Sequence, residues 1–290
     1  MPLRNRNRNT IPNFRKVGGA GFTGLLDDYG GAAAAYSVRR LSSTYEGALI
    51  RVREDGGDTE ADIRFDSNGD LDTTALLSHC GSNNGFVVTW YDQSGNNNNK
   101  IQPTESQQPK VFDSITGIVV ENEIPALYFD GLNDGLLINK NFSLQNISTF
   151  FTFSANNNQD AVLFQISENI NNIFSFGLGN IGFENAYGSR LIVSGVSYTT
   201  GKTNVGGQKL ASHFAQKTNP NIDLFLNNII ATGSQSARSG SGAQNTVGFR
   251  SDGLFATNSK IQEFIIYQSN QLSNRSNIEL NINSYFNIYL

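Results

Sequence analysis

At 290 residues, with a formal charge of −4 and only 16% charged residues, the chain is long enough to bury a large core and too apolar overall to be a disordered tail. Its single cysteine, Cys80, excludes an internal disulfide, so stability has to come from packing. No apolar run reaches transmembrane length and MPLRNRNRNTIPNF lacks the apolar segment of a signal peptide, so the expectation is synthesis in a cytoplasm with no membrane anchor.

The first 16 residues carry Arg4, Arg6, Arg8, Arg15 and Lys16 and no acid, so against a total of −4 the remaining 274 residues carry −9. This asymmetry marks residues 1–24 as a basic arm and 25–290 as the folded domain. The arm is expected to dock on a neighbouring subunit of a homo-oligomer or larger assembly, with protein or nucleic acid as its partner. VGGAGFTG, residues 17–24, is a joint; it lacks the Gly-Lys-Ser/Thr ending of a phosphate-binding loop, and no cofactor is expected. GGAAAAYSVRRLSSTY, residues 30–45, predicts a short helix with Ala32, Tyr36 and Val38 or Leu41 on one face. Strands are expected at 48–53, 61–65 and 86–91, with a second short helix at 72–79. Asp66, Asn68, Asp70 and Asp72 imitate the start of a calcium loop, but Leu71 stands where the sharp-turn glycine belongs and Leu77 where the bidentate glutamate belongs. The stretch reads as a turn followed by a helix cap.

From Ile118 onward the pattern is strand, turn, strand. IPALYFDGLNDGLLINKNFSLQNISTFFTFSA, residues 124–155, places three apolar runs between Asp-Gly and Asn-Asp-Gly turns. Further strands are expected at 118–120, 126–129, 136–138, 149–154, 161–167, 173–178, 191–194, 209–215, 222–226, 229–232, 246–249 and 260–267. Asn227-Asn228 marks a hairpin, residues 233–242 a polar loop, and 273–289 a helix with Ile278, Ile282, Tyr285, Phe286 and Tyr289 on one face and Ser276-x-x-Glu279 as a capping box. The sum is an all-β sandwich with short N-terminal helices and a C-terminal helix.

Two resemblances sharpen this reading. The Phe-Asp-Gly strand end, the Asn-Asp loop, the Leu-Leu-Ile strand and the Thr-Phe-Phe strand resemble the opening of a concanavalin A-like jelly roll of the laminin-G type, a fold that mostly binds carbohydrate. Ala35–Leu41, Gly47–Arg53 and above all Tyr91-Asp92-Gln93-Ser94-Gly95-Asn96 resemble the amino-terminal half of the catalytic domain of B-type α-L-arabinofuranosidases. The resemblance implies ligand contacts at Trp90, Tyr91 and Asp92; the same run can instead simply build a tight turn, with Asp92 capping backbone amides.

The family's nucleophile is the Glu of an Asp-x-Glu-Asn motif, which maps here onto Gly182-Phe183-Glu184-Asn185 with the first Asp lost; Asn185 would contact the sugar. Its acid/base maps loosely onto Asp252 in Gly248-Phe249-Arg250-Ser251-Asp252, and its adjacent cysteine pair has no counterpart. Glu184 and Asp252 can equally be a loop glutamate and a turn aspartate. His79, His213 and Cys80 do not make a metal-ligand spacing, and no metal is expected. Domains of this kind also occur in phage virion proteins. The leading expectation is therefore a virion structural protein, a capsid decoration or tail component docked by its arm to other virion proteins and presenting the sandwich to cell-surface glycans. The alternative is a retaining arabinofuranosidase-like hydrolase with Glu184 and Asp252 as its carboxylates.

Overall fold

The computed structural model describes residues 21–138, 140–155, 161–169, 172–179, 183–193, 196–202, 207–216, 221–230, 245–249 and 255–289. Arg4, Arg6, Arg8, Arg15 and Lys16 lie outside the described residues. Among those described, no helix is long and apolar enough to cross a membrane.

The packed part begins with Phe22, whose ring centroid lies 5.0 Å from the Arg40 guanidinium, and with helix α1 (Leu25–Asp28), where Asp27 Oδ2 accepts from the Gly24 amide. The run Gly30–Tyr45, expected as a helix, instead contains strand β1 (Ala34–Ser37). Its residues pair antiparallel with Ile266–Glu263 and all four are buried. Alanine favours helix in isolation, but here small side chains let β1 fit between its partner strand and the loop after Trp90, and tertiary pairing overrides propensity.

Strands β2 (Ile50–Glu54) and β3 (Glu60–Ile63) follow, then helix α2 (Thr73–Cys80), whose first turn is capped by Asp72 accepting from the Ala75 amide at 2.9 Å. Asp66 accepts from the Asn68 and Asp70 amides, so the calcium-like stretch is built as a turn. Strands β4 (Gly85–Trp90), β5 (Lys100–Ile101), β6 (Lys110–Asp113) and β7 (Gly117–Ile118) come next, then the small hairpin of β8 (Val120–Glu121) and β9 (Ile124–Pro125).

The rest is the sandwich proper: β10 (Leu127–Asp130), β11 (Leu136–Ile138), β12 (Asn146–Ala155), β13 (Ala161–Asn169), β14 (Asn172–Gly179), β15 (Phe183–Val193), β16 (Val196–Lys202), β17 (Gln208–Gln216), β18 (Asn221–Leu226), β19 (Ile229–Ile230), β20 (Asn245–Val247) and β21 (Asn258–Tyr267). Asn227 and Asn228 both take positive φ (49° and 63°), the two-residue turn that matches strand twist in a hairpin. The strand expected at 191–194 is the end of the much longer β15, and β16, whose Ser-Tyr-Thr-Thr-Gly run gives no apolar alternation, was not anticipated.

Pairing divides the strands into two layers. The back layer runs β21, β12, β17, β18, β19, with β1 and β10 side by side along the free edge of β21. The front layer runs β3, β2, β4, β5, β11, β20, β13, β14, β15, β16. Among the described residues one strand pair, Tyr128 with Lys110, links them through β6. Between the layers Phe164 of β13 lies 4.7 Å from Phe264 of β21 and 5.2 Å from Phe151 of β12, with Phe176 and His213 completing the cluster. The back layer is also covered outside, which is why β12 is buried on both faces and reads as a continuous Phe-Phe-Thr-Phe run.

That outer cover is helix α3 (Arg275–Phe286), which buries Ile278, Ile282 and Phe286. The expected Ser276–Glu279 capping box does not form: the helix starts two residues earlier, with Asn274 at the N-cap, so Ser276 is already inside it and Glu279 pairs with Arg275 at 2.7 Å. Between α3 and β21 lies a buried fork in which Glu263 accepts from Arg39 Nε (2.8 Å), Arg39 Nη2 (3.0 Å) and Ser37 Oγ (2.7 Å). The Arg39 guanidinium sits 4.6 Å from the Tyr285 ring centroid.

Breaking this fork from one side strands a buried carboxylate. Arg39→Met is expected to cost about 3–5 kcal/mol in urea unfolding, and the double change Arg39→Met/Glu263→Leu to recover most of it. If the single variant were as stable as the parent, the fork would be ornamental.

Lys100 gives a second test. Its side chain is 1% exposed, its nearest acceptor is the Asn245 carbonyl at 3.5 Å, and no carboxylate among the described residues pairs with it. Burial pushes its ammonium down to about 7. The unfolded chain holds the proton up to about pH 10.4, so stability is complete above that value and declines as pH falls to about 7. Lys100→Met is expected to flatten this slope and to gain about 2–4 kcal/mol at pH 7, measured by denaturant titration from pH 6 to 10.

Candidate functional site

The Tyr-Asp-Gln-Ser-Gly run leaves the end of β4 and returns towards β1. Trp90 is completely buried, its ring 5.6 Å from that of Tyr36. Asp92, 4% exposed, accepts from the amides of Ala35 (2.8 Å), Ser94 (2.9 Å) and Asn98 (2.9 Å) and from Ser94 Oγ (2.8 Å). Gln93 accepts from the Leu41 amide and donates to the Arg39 carbonyl, while Asn98 donates to the Ala33 carbonyl. The polar groups of the turn are thus spent largely on holding β1 and the residues on either side of it. Of the residues expected to contact a ligand, Trp90 is fully buried and Asp92 has its acceptor sites filled from within the chain. Tyr91 is partly exposed and donates to Asp62 at 2.8 Å; burial, then that carboxylate, push its phenol up to about 12.

Beside this turn lies a shallow cleft of about 200 Å³ bordered by Gly31, Ser42, Thr44, Tyr45, Gln93 and Gly95. Its polar groups are occupied internally, Ser42 Oγ by Asp27 and Tyr45 by the Ala48 carbonyl. His79 faces the Val52 carbonyl, and His213 meets Thr149 Oγ1 at 2.8 Å inside the aromatic cluster, where burial pushes its imidazole down to about 3. Among the described residues no group of three or more His, Cys, Asp or Glu is placed to hold a metal.

The expected carboxylates belong to the opposite end of the front layer. Glu184 and Asn185 are the second and third residues of β15. Pairing there jumps from Gly179 with Phe183 to Leu178 with Tyr187, which leaves Glu184, Asn185 and Ala186 without partners on β14. Such a register shift bends a strand locally. Asp252 lies outside the described residues, but its flanks do not. Gly248 donates to the Leu163 carbonyl, and the Phe255 carbonyl accepts from Val162 at 2.8 Å. Val162 pairs with Gly177 and Ala161 with Leu178, so these flanks stand at the same end of the layer as Phe183.

A third carboxyl at this end was not anticipated as functional. Asp134, in the Phe-Asp-Gly-Leu-Asn-Asp-Gly turn between β10 and β11, is 6% exposed, and its Oδ2 accepts from the Asp130 amide at 3.0 Å. Burial, then the Asp130 carboxylate, push it up to about 7, against the pull of that amide and of Lys110. The spacing of the two aspartates was visible in the sequence as turn chemistry, while the burial was not.

Residues 29–180 match the family model described as Alpha-L-arabinofuranosidase B, catalytic. No curated protein matches the chain. Among solved structures, an arabinofuranosidase complexed with arabinofuranosyl-α-1,2-xylobiose is similar with a TM-score of 0.60 at 16% identity, over 87% of this chain and 62% of that one. A GH54 α-L-arabinofuranosidase soaked with a cyclic sulfate inhibitor gives 0.60 at 15% identity, over 87% and 62%. At such identities the likeness is one of fold, and this chain spans about three fifths of the length of the proteins it resembles.

If Asp92 serves β1 rather than a ligand, Asp92→Ala is expected to cost about 3–5 kcal/mol by leaving buried amides unpaired. The same variant should retain any sugar affinity once folded at low temperature, and calorimetry with arabino-oligosaccharides on the folded fraction checks it.

Proposed function

The chain belongs to the α-L-arabinofuranosidase B catalytic family, and from that membership we propose that it is a carbohydrate-active domain that hydrolyses α-L-arabinofuranosyl linkages with retention of configuration. The observation that carries the proposal is positional: Glu184, on the shifted register of β15, and the two flanks of Asp252 occupy the same end of one layer. Phe255 and Glu184 are separated by three strand spacings, about 14 Å. Asp252 is three residues from Phe255, and three residues of chain can span up to about 10 Å, enough to bring the carboxyls to the roughly 5–5.5 Å of a retaining pair.

In this reading Glu184 attacks the anomeric carbon while Asp252 gives its proton to the departing glycosidic oxygen, so the glycosidic bond breaks as the ester to Glu184 forms. Asp252, now ionised, takes a proton from water; the resulting hydroxide adds to the anomeric carbon and Glu184 leaves as carboxylate. Gly182 in place of the family's Asp and the missing cysteine pair mean that the sugar is gripped by other groups. The virion role expected from the basic arm finds no support in the family match or the structural neighbours, and its residues lie outside those described.

The full chain is expected to release 4-nitrophenol from 4-nitrophenyl α-L-arabinofuranoside, with Glu184→Gln slower by about 10³-fold or more and Asp252→Asn by about 10²–10⁴-fold. Absence of turnover, together with no binding of arabino-oligosaccharides, would sink the proposal.

A further inference from the structure

The cleft beside the Tyr91–Gly95 turn has walls braced from several directions. The Leu26 amide donates to the Leu41 carbonyl at 2.8 Å and Asp27 accepts from Ser42 Oγ at 3.0 Å, which ties α1 to the 42–45 loop. The Gln93 amide donates to the Ala35 carbonyl at 2.8 Å and Asn96 Nδ2 to the Ala32 carbonyl at 3.0 Å, which ties the 93–96 loop to the stretch entering β1. Tyr45 is fixed twice: its hydroxyl donates to the Ala48 carbonyl at 2.5 Å, and a Cβ on Gly47 would come within 2.6 Å of the ring carbon Cζ, so the ring lies on the glycine. A half-buried aromatic ring therefore borders the cleft already in place, with no ordering left to be done on binding.

The side chains of the cleft are spent on this bracing, but its main chain is not. Gly31 and Gly95 border it and are exposed, their amides donate to no group among the described residues, and a Cβ added at either would meet nothing within 4 Å. Thr44 adds an acceptor: Ser42 Oγ gives its proton to Asp27, so across the 3.0 Å between Ser42 Oγ and Thr44 Oγ1 it is Thr44 that donates, and Thr44 Oγ1 keeps its lone pairs. No charged side chain borders the cleft among the described residues, and the carboxylates bonded to its walls, Asp27 at Ser42 and Asp92 at Ser94, disfavour an anion. We propose that this cleft is a sugar-binding subsite for one neutral monosaccharide unit, whose C–H face packs on the Tyr45 ring while its hydroxyls accept from the Gly31 and Gly95 amides and donate to Thr44 Oγ1. A hydroxyl both accepts and donates, which is what two amides beside an acceptor call for. The volume of about 200 Å³, short of the roughly 300–1,000 Å³ of a pocket for a drug-sized ligand, suits a single ring. The cleft stands at the end of the front layer away from Glu184, so it holds a glycan without touching the reacting bond, and the proposal does not rest on the hydrolase reading.

Amide NMR of the full chain titrated with L-arabinose, with D-xylose and, as a control, with glycerol tests this. At least one of the two sugars is expected to shift the Gly31 and Gly95 amides saturably, with a Kd on the order of 1–10 mM for so shallow a site. Thr44→Val should weaken binding about fivefold and Tyr45→Ala about tenfold or more, while Tyr45→Phe, which keeps the ring, stays within about twofold. Amides that stay still with both sugars, that follow glycerol equally, or that respond undiminished in Tyr45→Ala overturn the proposal. Should Tyr45→Ala fail to fold, Thr44→Val decides: weaker binding at unchanged thermal stability supports the subsite, and unchanged affinity overturns it. Turnover of 4-nitrophenyl α-L-arabinofuranoside separates the two readings. An inactive chain whose Gly31 and Gly95 amides respond sinks the hydrolase reading and leaves the subsite standing, whereas an active chain whose amides do not respond sinks the subsite alone.

Discussion

A carboxylate that cannot reach water must be held by something, and Glu263 is held by Arg39. The fork they make joins β1, β21 and α3 at one buried point, and the aromatic rings of Tyr285 and Phe286 close over the guanidinium. Replacing both partners by apolar groups would keep most of the stability, so the fork's contribution is chiefly specificity of arrangement. It fixes where β1 lies along β21, and hence the stretch of that edge left for β10. Next to it the pairing of β12 shifts register, from Thr152 with Glu263 to Phe153 with Ile261. The extra residue, Gln262, sends its amide to the carbonyls of Glu121, Ile124 and Pro125 and so anchors the β8–β9 hairpin.

From that fixed edge the position of the candidate site follows. With β10 set against β21, the turn after β10 must deliver β11 to the front layer beside β20, and β20 in turn registers β13, β14 and β15. The Glu184 stretch is therefore several strand pairings away from the fork but tied to it by a continuous ladder. A rigid ladder with irregular connections at its end is the usual way a β-fold carries chemistry, since strands hold geometry and loops supply side chains.

Much of this was legible in the amino-acid order. Aromatic and β-branched runs between Asp-Gly, Asn-Asp-Gly and Asn-Asn punctuation located nearly every strand from β10 to β14 and from β17 to β21, because turn residues with positive φ and half-buried alternation leave direct marks. What escaped has definite causes. β1 is alanine-rich, and its strand state depends on Asp92 and β21, neither of them nearby in sequence. β16 is polar, so its pairing with β15 leaves no periodic signal. Asp134 looked like one more turn aspartate because the contact that buries its surroundings, Phe249 on Gly135, joins residues from distant parts of the chain.

The motif that carried the family resemblance most strongly turns out to be the part farthest from the proposed chemistry. Tyr91–Gly95 leaves the end of the front layer marked by Trp90 with Lys100 and, across β11, by Ile138 with Asn245; Glu184 and the flanks of Asp252 stand at the opposite end, beyond Gly248 and Val162. Its side chains fasten β1 and the Arg39–Leu41 stretch after it, closing the sandwich edge. The chain departs from the family's pattern at Gly182, which stands where the family has an aspartate, and it has no vicinal cysteines. Architecture and the proposed chemistry are therefore separable here: the Tyr91–Gly95 turn serves the fold, and under the proposed hydrolase reading the far end of the layer carries the reaction.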